Sequence, residues 1–153
     1  MKKLLMILGG VFLVLLVLGV AGIAIVAVKG NALDKESKQY VDAAIPAIVS
    51  GWDITEIQNR ASPEFKTAVK DEDLEKLVRM FRRLGKFKTY NGAKGEANIS
   101  ATIRDDKTIS AAYVATALFD TGPAEINMSL IKHGTQWQLL GLRINSKVFL
   151  EPP

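Results

Sequence analysis

One feature limits this chain more than any other: from Leu4 to Val28 no residue carries a charge, and nearly every one is Leu, Val, Ile, Ala or Gly. A helix rises about 1.5 Å per residue, so the run reaches roughly 37 Å against a hydrocarbon core of about 30 Å. It is long enough to span a bilayer with some tilt. Lys2 and Lys3 precede it, a cationic start that also fits a secretory signal peptide cleaved after Ala32. Signal-peptide cores are only about 7–15 residues long, and this length favours an uncleaved anchor. A three-residue tail before a long downstream domain favours the tail in the cytoplasm and the domain outside it. Within the run no two small residues stand four apart, so the close-packed helix-dimer motif is absent. No ionisable side chain interrupts it to mark an ion pathway.

The expected organisation is therefore a cytoplasmic tail at 1–3, a transmembrane helix at 4–28, a juxtamembrane linker at 29–36, a folded domain at 37–147 and a C-terminal tail at 148–153. The chain has 20 Lys and Arg against 16 Asp and Glu, a formal +4 of which Lys2 and Lys3 supply half. The folded part is thus close to neutral. A nucleic-acid binder concentrates its excess cations in the domain itself, so no nucleic-acid partner is expected. With no cysteine and one histidine, His133, transition-metal chemistry has few ligands. The chain lacks a nucleophile elbow and a Gly-rich phosphate loop opening a helix, so no cofactor is expected.

Tyr40, Val41, Ala44, Ile45 and Ile48 recur at helical spacing and predict a helix from Asp34 to Ser50, kinked or shortened at Pro46 and ended by Gly51. Asp53 followed by Glu56 reads as a capping box opening a second helix, with Trp52 stapling its start. Ser62-Pro63-Glu64 is another helix start. The clearest helix carries Leu74, Leu77, Val78, Phe81 and Leu84 on one face, with Asp71, Glu72 and Asp73 at its positive end and Gly85 as its stop.

After Tyr90 the period changes to two. Ala97, Ile99, Ala101 and Ile103 alternate with polar residues as a strand. A turn at Asp105-Asp106-Lys107 leads to a long strand from Thr108 to Phe119, with Tyr113 and Phe119 on one side. Thr121-Gly122-Pro123 turns again, and Ala124, Ile126, Met128 and Leu130 alternate in a third strand. A hairpin at His133-Gly134 leads to a last strand from Trp137 to Ile144. The fold class is α+β: three helices packed on a curved four-stranded antiparallel sheet, behind the N-terminal transmembrane helix.

Ser62-Pro63-Glu64-Phe65, Leu84-Gly85 and the closing Trp137-Gln138-Leu139-Leu140-Gly141-Leu142-Arg143-Ile144 resemble the nuclear-transport-factor-2-like, or cystatin-like, superfamily over about Ser37 to Ser146. The last segment looks like the closing strand of small bacterial exported families of unassigned activity. The superfamily includes isomerases, dehydratases, transport adaptors and membrane-anchored secretion-channel scaffolds, so the resemblance implies a fold and leaves the activity open. It also implies a bacterial inner-membrane setting, with the domain on the periplasmic or extracellular side.

Enzymes of that superfamily place acid–base residues at the mouth of the cone, where Tyr40, Asp42 and Tyr113 are the candidates here. Asp42 falls opposite Val41, Ala44, Ile45 and Ile48, which reads as a solvated carboxylate. Ala111, Tyr113, Ala115, Met128, Leu130, Leu140 and Leu142 read as a filled interior. The candidate interaction patch is basic: Arg79, Arg82, Arg83 and Lys86 at helical spacing, followed by Lys88. Such cations also complement a helix C-terminus, and Glu75–Arg79 and Glu72–Lys76 are spaced as ion pairs, so solvated and partner-docking readings both stand. The functional expectation is a non-catalytic interaction domain, an accessory or assembly subunit with a protein partner. The bilayer is met through residues 4–28, and the alternative is a ligand-binding or isomerase-like cone.

Overall fold

The stripe of Val41, Ala44, Ile45, Ile48 and Val49, all at most 1% exposed, builds helix α1 at residues 31–51. The computed structural model describes residues 31–101 and 107–152. The expected span at 4–28 and most of the Asp105-Asp106-Lys107 turn lie outside them. Among the described residues no helix is long and apolar enough to cross a membrane. Pro46 does not end α1. Its ring removes one amide donor, and the buried stripe on both sides holds the helix through that loss. Residues 31–36, expected as linker, are already helical.

Helix α2 (Ile54–Arg60) opens where Asp53 accepts the Thr55 amide at 2.8 Å. Glu56 does not complete a capping box; it pairs with Arg60 four residues on. Trp52 has φ +46°, a backbone region rare for a bulky residue. Its ring is buried between Phe81 at 5.2 Å and Phe119 at 6.1 Å, so packing holds the strained turn. Helix α3 (Pro63–Ala68) begins as expected, with Ser62 Oγ accepting the Phe65 amide and Pro63 in the first turn. It ends at Val69, and a separate helix α4 (Asp71–Phe81) follows, so the described residues hold four helices instead of three. A 3₁₀ turn, Arg82–Leu84, carries α4 to Gly85, whose φ of +81° makes it the stop.

The sheet runs β1 (Phe87–Ala101), β2 (Lys107–Phe119), β3 (Gly122–His133) and β4 (Gln136–Asn145), in that spatial order and antiparallel throughout. The four-strand meander is as expected, except that β1 begins ten residues before Ala97. Its first half is irregular, with register shifts at Phe87/Thr89 and Tyr90/Ala93, and these hide the period of two. At Gly95 the strands pinch together: a Cβ there would sit 2.0 Å from the Ala112 carbonyl oxygen. The turn after β2 falls at Asp120-Thr121, with Gly122 and Pro123 already paired to Phe119 and Leu118.

Along β2, Ala111, Tyr113, Ala115, Ala117 and Phe119 are buried and their neighbours exposed. Ala124, Ile126, Met128 and Leu130 do the same on β3. On β4 the alternation breaks. Leu130 pairs with Leu139 and Ser129 with Gly141, which leaves Leu140 as the extra residue of a bulge. Leu139 is therefore fully buried, while Leu140 and Leu142, expected in the interior, are only half-buried. Beyond the bulge Ile144 turns inward. The connection between α2 and α3 closes this edge of the sheet: Ala61 bridges Leu139 in parallel, and the Ser62 amide donates to the Leu139 carbonyl at 2.9 Å.

Candidate functional site

The three residues that could have formed an acid–base cluster are held apart. Asp42 accepts from the Tyr90 hydroxyl at 2.7 Å and from Lys38 Nζ at 2.7 Å, so its carboxylate is already engaged toward β1. Burial, then the Asp42 carboxylate, pushes the Tyr90 hydroxyl pKa well above its ordinary range, leaving Tyr90 a fixed donor. Tyr113 Oη lies 2.8 Å from Ser37 Oγ, which is itself fully buried, and donates to the Asp34 carbonyl at 3.1 Å. Tyr40 looks the other way along α1, beneath the Arg60 guanidinium at 5.7 Å. The Asp34 carboxylate takes the Ala97 amide at 2.7 Å and so ties α1 to β1. These polar groups on the helix-covered side of the sheet are spent on one another.

General acid work calls for a carboxyl raised by an apolar pocket. The carboxyls clearly shifted here, Glu36, Glu64, Asp120 and Glu125, all move down. Hydrogen bonds are the main cause: from Lys132 to Glu36, from His133 to Glu64, from the Lys86 amide to Asp120 and from Asn127 to Glu125. His133 ends β3 as an exposed residue and meets Glu64 at 3.0 Å, so the sole histidine joins the sheet to α3. Among the described residues no three His, Asp or Glu side chains cluster as a metal site.

The basic residues divide into two kinds. Arg82 Nη2 donates to the Trp52 carbonyl at 3.2 Å, bracing the strained turn before α2. Arg83 is half-buried, and its Nη2 donates to the carbonyls of Val148 at 3.1 Å and Glu151 at 2.8 Å. It therefore fastens the C-terminal 3₁₀ turn, Lys147–Leu150, a stretch that begins at the expected domain end and runs into the expected tail. Lys88 pairs with Asp120 at 3.5 Å. Among the described residues the side chains of Arg79 and Lys86 make no ion pair, and neither Glu75–Arg79 nor Glu72–Lys76 forms; Lys76 meets Asp73 instead. The helical spacing brought these cations together, and folding then divided them between clamps and solvent.

Comparison with protein-family models, with characterised proteins and with solved structures gives no match.

What sequence reasoning missed is the bare side of the sheet. The buried side chains of β2 and β3, with Ser37 of α1 and Trp52 packed on Tyr113 and Phe119, lie on one face. On the other, β2 presents Ala112, Val114, Thr116 and Leu118, with Val114 44% and Leu118 38% exposed. Ser129 and Gly141 pair beside them, small enough to keep the surface flat, and Lys94, Glu96, Glu125 and Arg143 stand around the edge. The signal was present: Ala111 to Phe119 is apolar on both sides of the alternation, apart from Thr116. A strand apolar on both faces implies cover on both.

Proposed function

We propose that this chain is a non-catalytic interaction domain, an accessory or assembly subunit held by residues 4–28 at the outer face of a bacterial cytoplasmic membrane. One observation carries the reading. The helix-covered face of the sheet is filled, while the opposite face displays Val114 and Leu118 within a polar surround, the composition of a protein-docking surface. Arg79 and Lys86 lie free to supply charge steering, which acts on encounter rate more than on affinity. The order of helices followed by a four-strand meander supports the nuclear-transport-factor-2-like reading of the fold. The isomerase-like alternative draws support from neither the scattered Tyr40, Asp42 and Tyr113 nor the lowered carboxyls.

The test is site-specific photocrosslinking in intact cells. A photoreactive residue at Val114 or Leu118 should yield discrete adducts, and one at exposed Lys66 on α3 should not. Equal labelling at all three sites, or none at any, refutes the docking face. For the anchor, a reporter fused after Pro153 and active only in the cytoplasm should be silent; activity overturns the exported topology.

A further inference from the structure

A groove of about 690 Å³ opens between α1, α2 and the β3–β4 hairpin. Four carboxamides line it: Gln39 from α1, Asn59 from α2, and Gln136 and Gln138 from β4. Among the described residues none of the four makes a side-chain hydrogen bond, although three other amides, Gln58, Asn127 and Asn145, do. Gln138 Oε1 is buried with no partner at all. Trp137, 8% exposed, forms part of the wall, and its indole N–H is directed at the Glu36 carboxylate. Buried polar atoms left without partners are uncommon, because each costs its desolvation with no return. Here the unpartnered acceptor belongs to a residue that lines the groove, beside amides that each carry both donor and acceptor functions.

The charges in the groove are already satisfied. Glu36 holds Lys132 at 2.6 Å, and Glu56 holds Arg60 at 2.6 Å, with the guanidinium lying over Tyr40. An ionic ligand would have to break one of these pairs, whereas an uncharged one leaves them in place. An extended peptide is poorly suited as well. The edge of β4 is occupied at Leu139 by the Ala61–Ser62 connection, so only Gln136 to Gln138 are left in the groove, too few for strand addition. The remaining chemistry is that of hydroxyl groups, each donor and acceptor at once, carried on rings whose C–H faces can rest against Tyr40.

We propose that this groove binds an uncharged, hydroxyl-rich saccharide, with Asn59, Gln136 and Gln138 supplying the reciprocal hydrogen bonds. Its volume falls within the usual range for small-molecule sites. The groove shares no lining residue with Val114 or Leu118, so the two sites can fail independently.

The experiment uses the full chain in a detergent without a sugar headgroup. Chitotriose, maltotriose and cellotriose are each titrated by calorimetry and by tryptophan fluorescence, which reports on Trp137. Saturable binding of at least one, with Kd of about 1 mM or tighter, is expected. The Asn59→Ala/Gln136→Ala variant should weaken it at least about tenfold with Tm unchanged, since both residues are exposed. The proposal is overturned if none of the three sugars binds, if the double variant binds as well as the parent, or if the blocked peptide acetyl-trialanine-amide binds and the sugars do not.

Discussion

Replacing Arg83 by Gln separates a clamp from a solvated cation. The guanidinium makes two charge-assisted hydrogen bonds to backbone carbonyls, at 3.1 Å to Val148 and 2.8 Å to Glu151. A hydrogen bond to a charged group contributes about 1.5–3 kcal/mol when shielded from water. The Val148 bond is part-buried and counts near that range, while the Glu151 bond is exposed and counts for much less. The loss should therefore be about 2–3 kcal/mol. For a domain of this size that lowers Tm by roughly 6–12 °C. Arg79→Gln, one turn earlier on α4 and without such bonds, should stay within about 0.5 kcal/mol of the parent. Thermal melts of both variants give the comparison, and limited proteolysis adds a local readout. In the Arg83 variant the segment from Lys147 to Glu151 should be cut faster than the rest of the domain. If Arg83→Gln melts within a degree or two of the parent, its two bonds contribute nothing, and Arg83 belongs with the docking cations after all.

Gly95→Ala should cost about 3 kcal/mol in urea denaturation, because its Cβ would meet the backbone of Ala112 and Tyr113; Gly51→Ala, with open space around it, should cost nothing. Equal stability of the two variants would show that the strands separate freely at Gly95. Tyr113→Phe should lose about 1–3 kcal/mol, since it removes a partner from the buried Ser37 hydroxyl; a loss under about 0.5 kcal/mol would mean that Ser37 is satisfied without it. Acid should unfold the domain through its lowered carboxyls. Their folded pKa values lie below the unfolded ones, so the stability they add is full above the ordinary carboxylate range and is lost as pH falls through it. Asp120→Asn should make the Tm-against-pH curve shallower on that side, and an unchanged slope would remove Asp120 from the account.

The long periodic elements were legible because one buried face writes its period into the sequence. α1, α4 and the alternating strands β2 and β3 follow from single runs of residues. What escaped were features that depend on contact with distant chain. The break between α3 and α4 at Val69-Lys70 has no Gly or Pro to announce it. The first half of β1 pairs irregularly and shows no alternation to read. Arg82 and Arg83 share the helical spacing of Arg79, and only the positions of Trp52 and of the C-terminal turn turn them into clamps. The four amides of the groove are scattered from Gln39 to Gln138, so no local motif could unite them.

The bulge at Leu139-Leu140 makes β4 unequal along its length in its tolerance of insertion and deletion. Removing any one residue from an evenly alternating strand turns every later side chain to the opposite face. At Leu140 the reverse holds, because that residue is already surplus to the pairing with β3. Its deletion would leave Trp137 and Leu139 inward and would still bring Leu142 opposite Met128 and Ile144 opposite Ile126. The strand would lose a bend and keep its core contacts. Deleting Gln138 instead would throw Trp137 out of phase with Leu139, beside the very residue that meets Ala61. Length variation in this strand is therefore expected to collect at a single position.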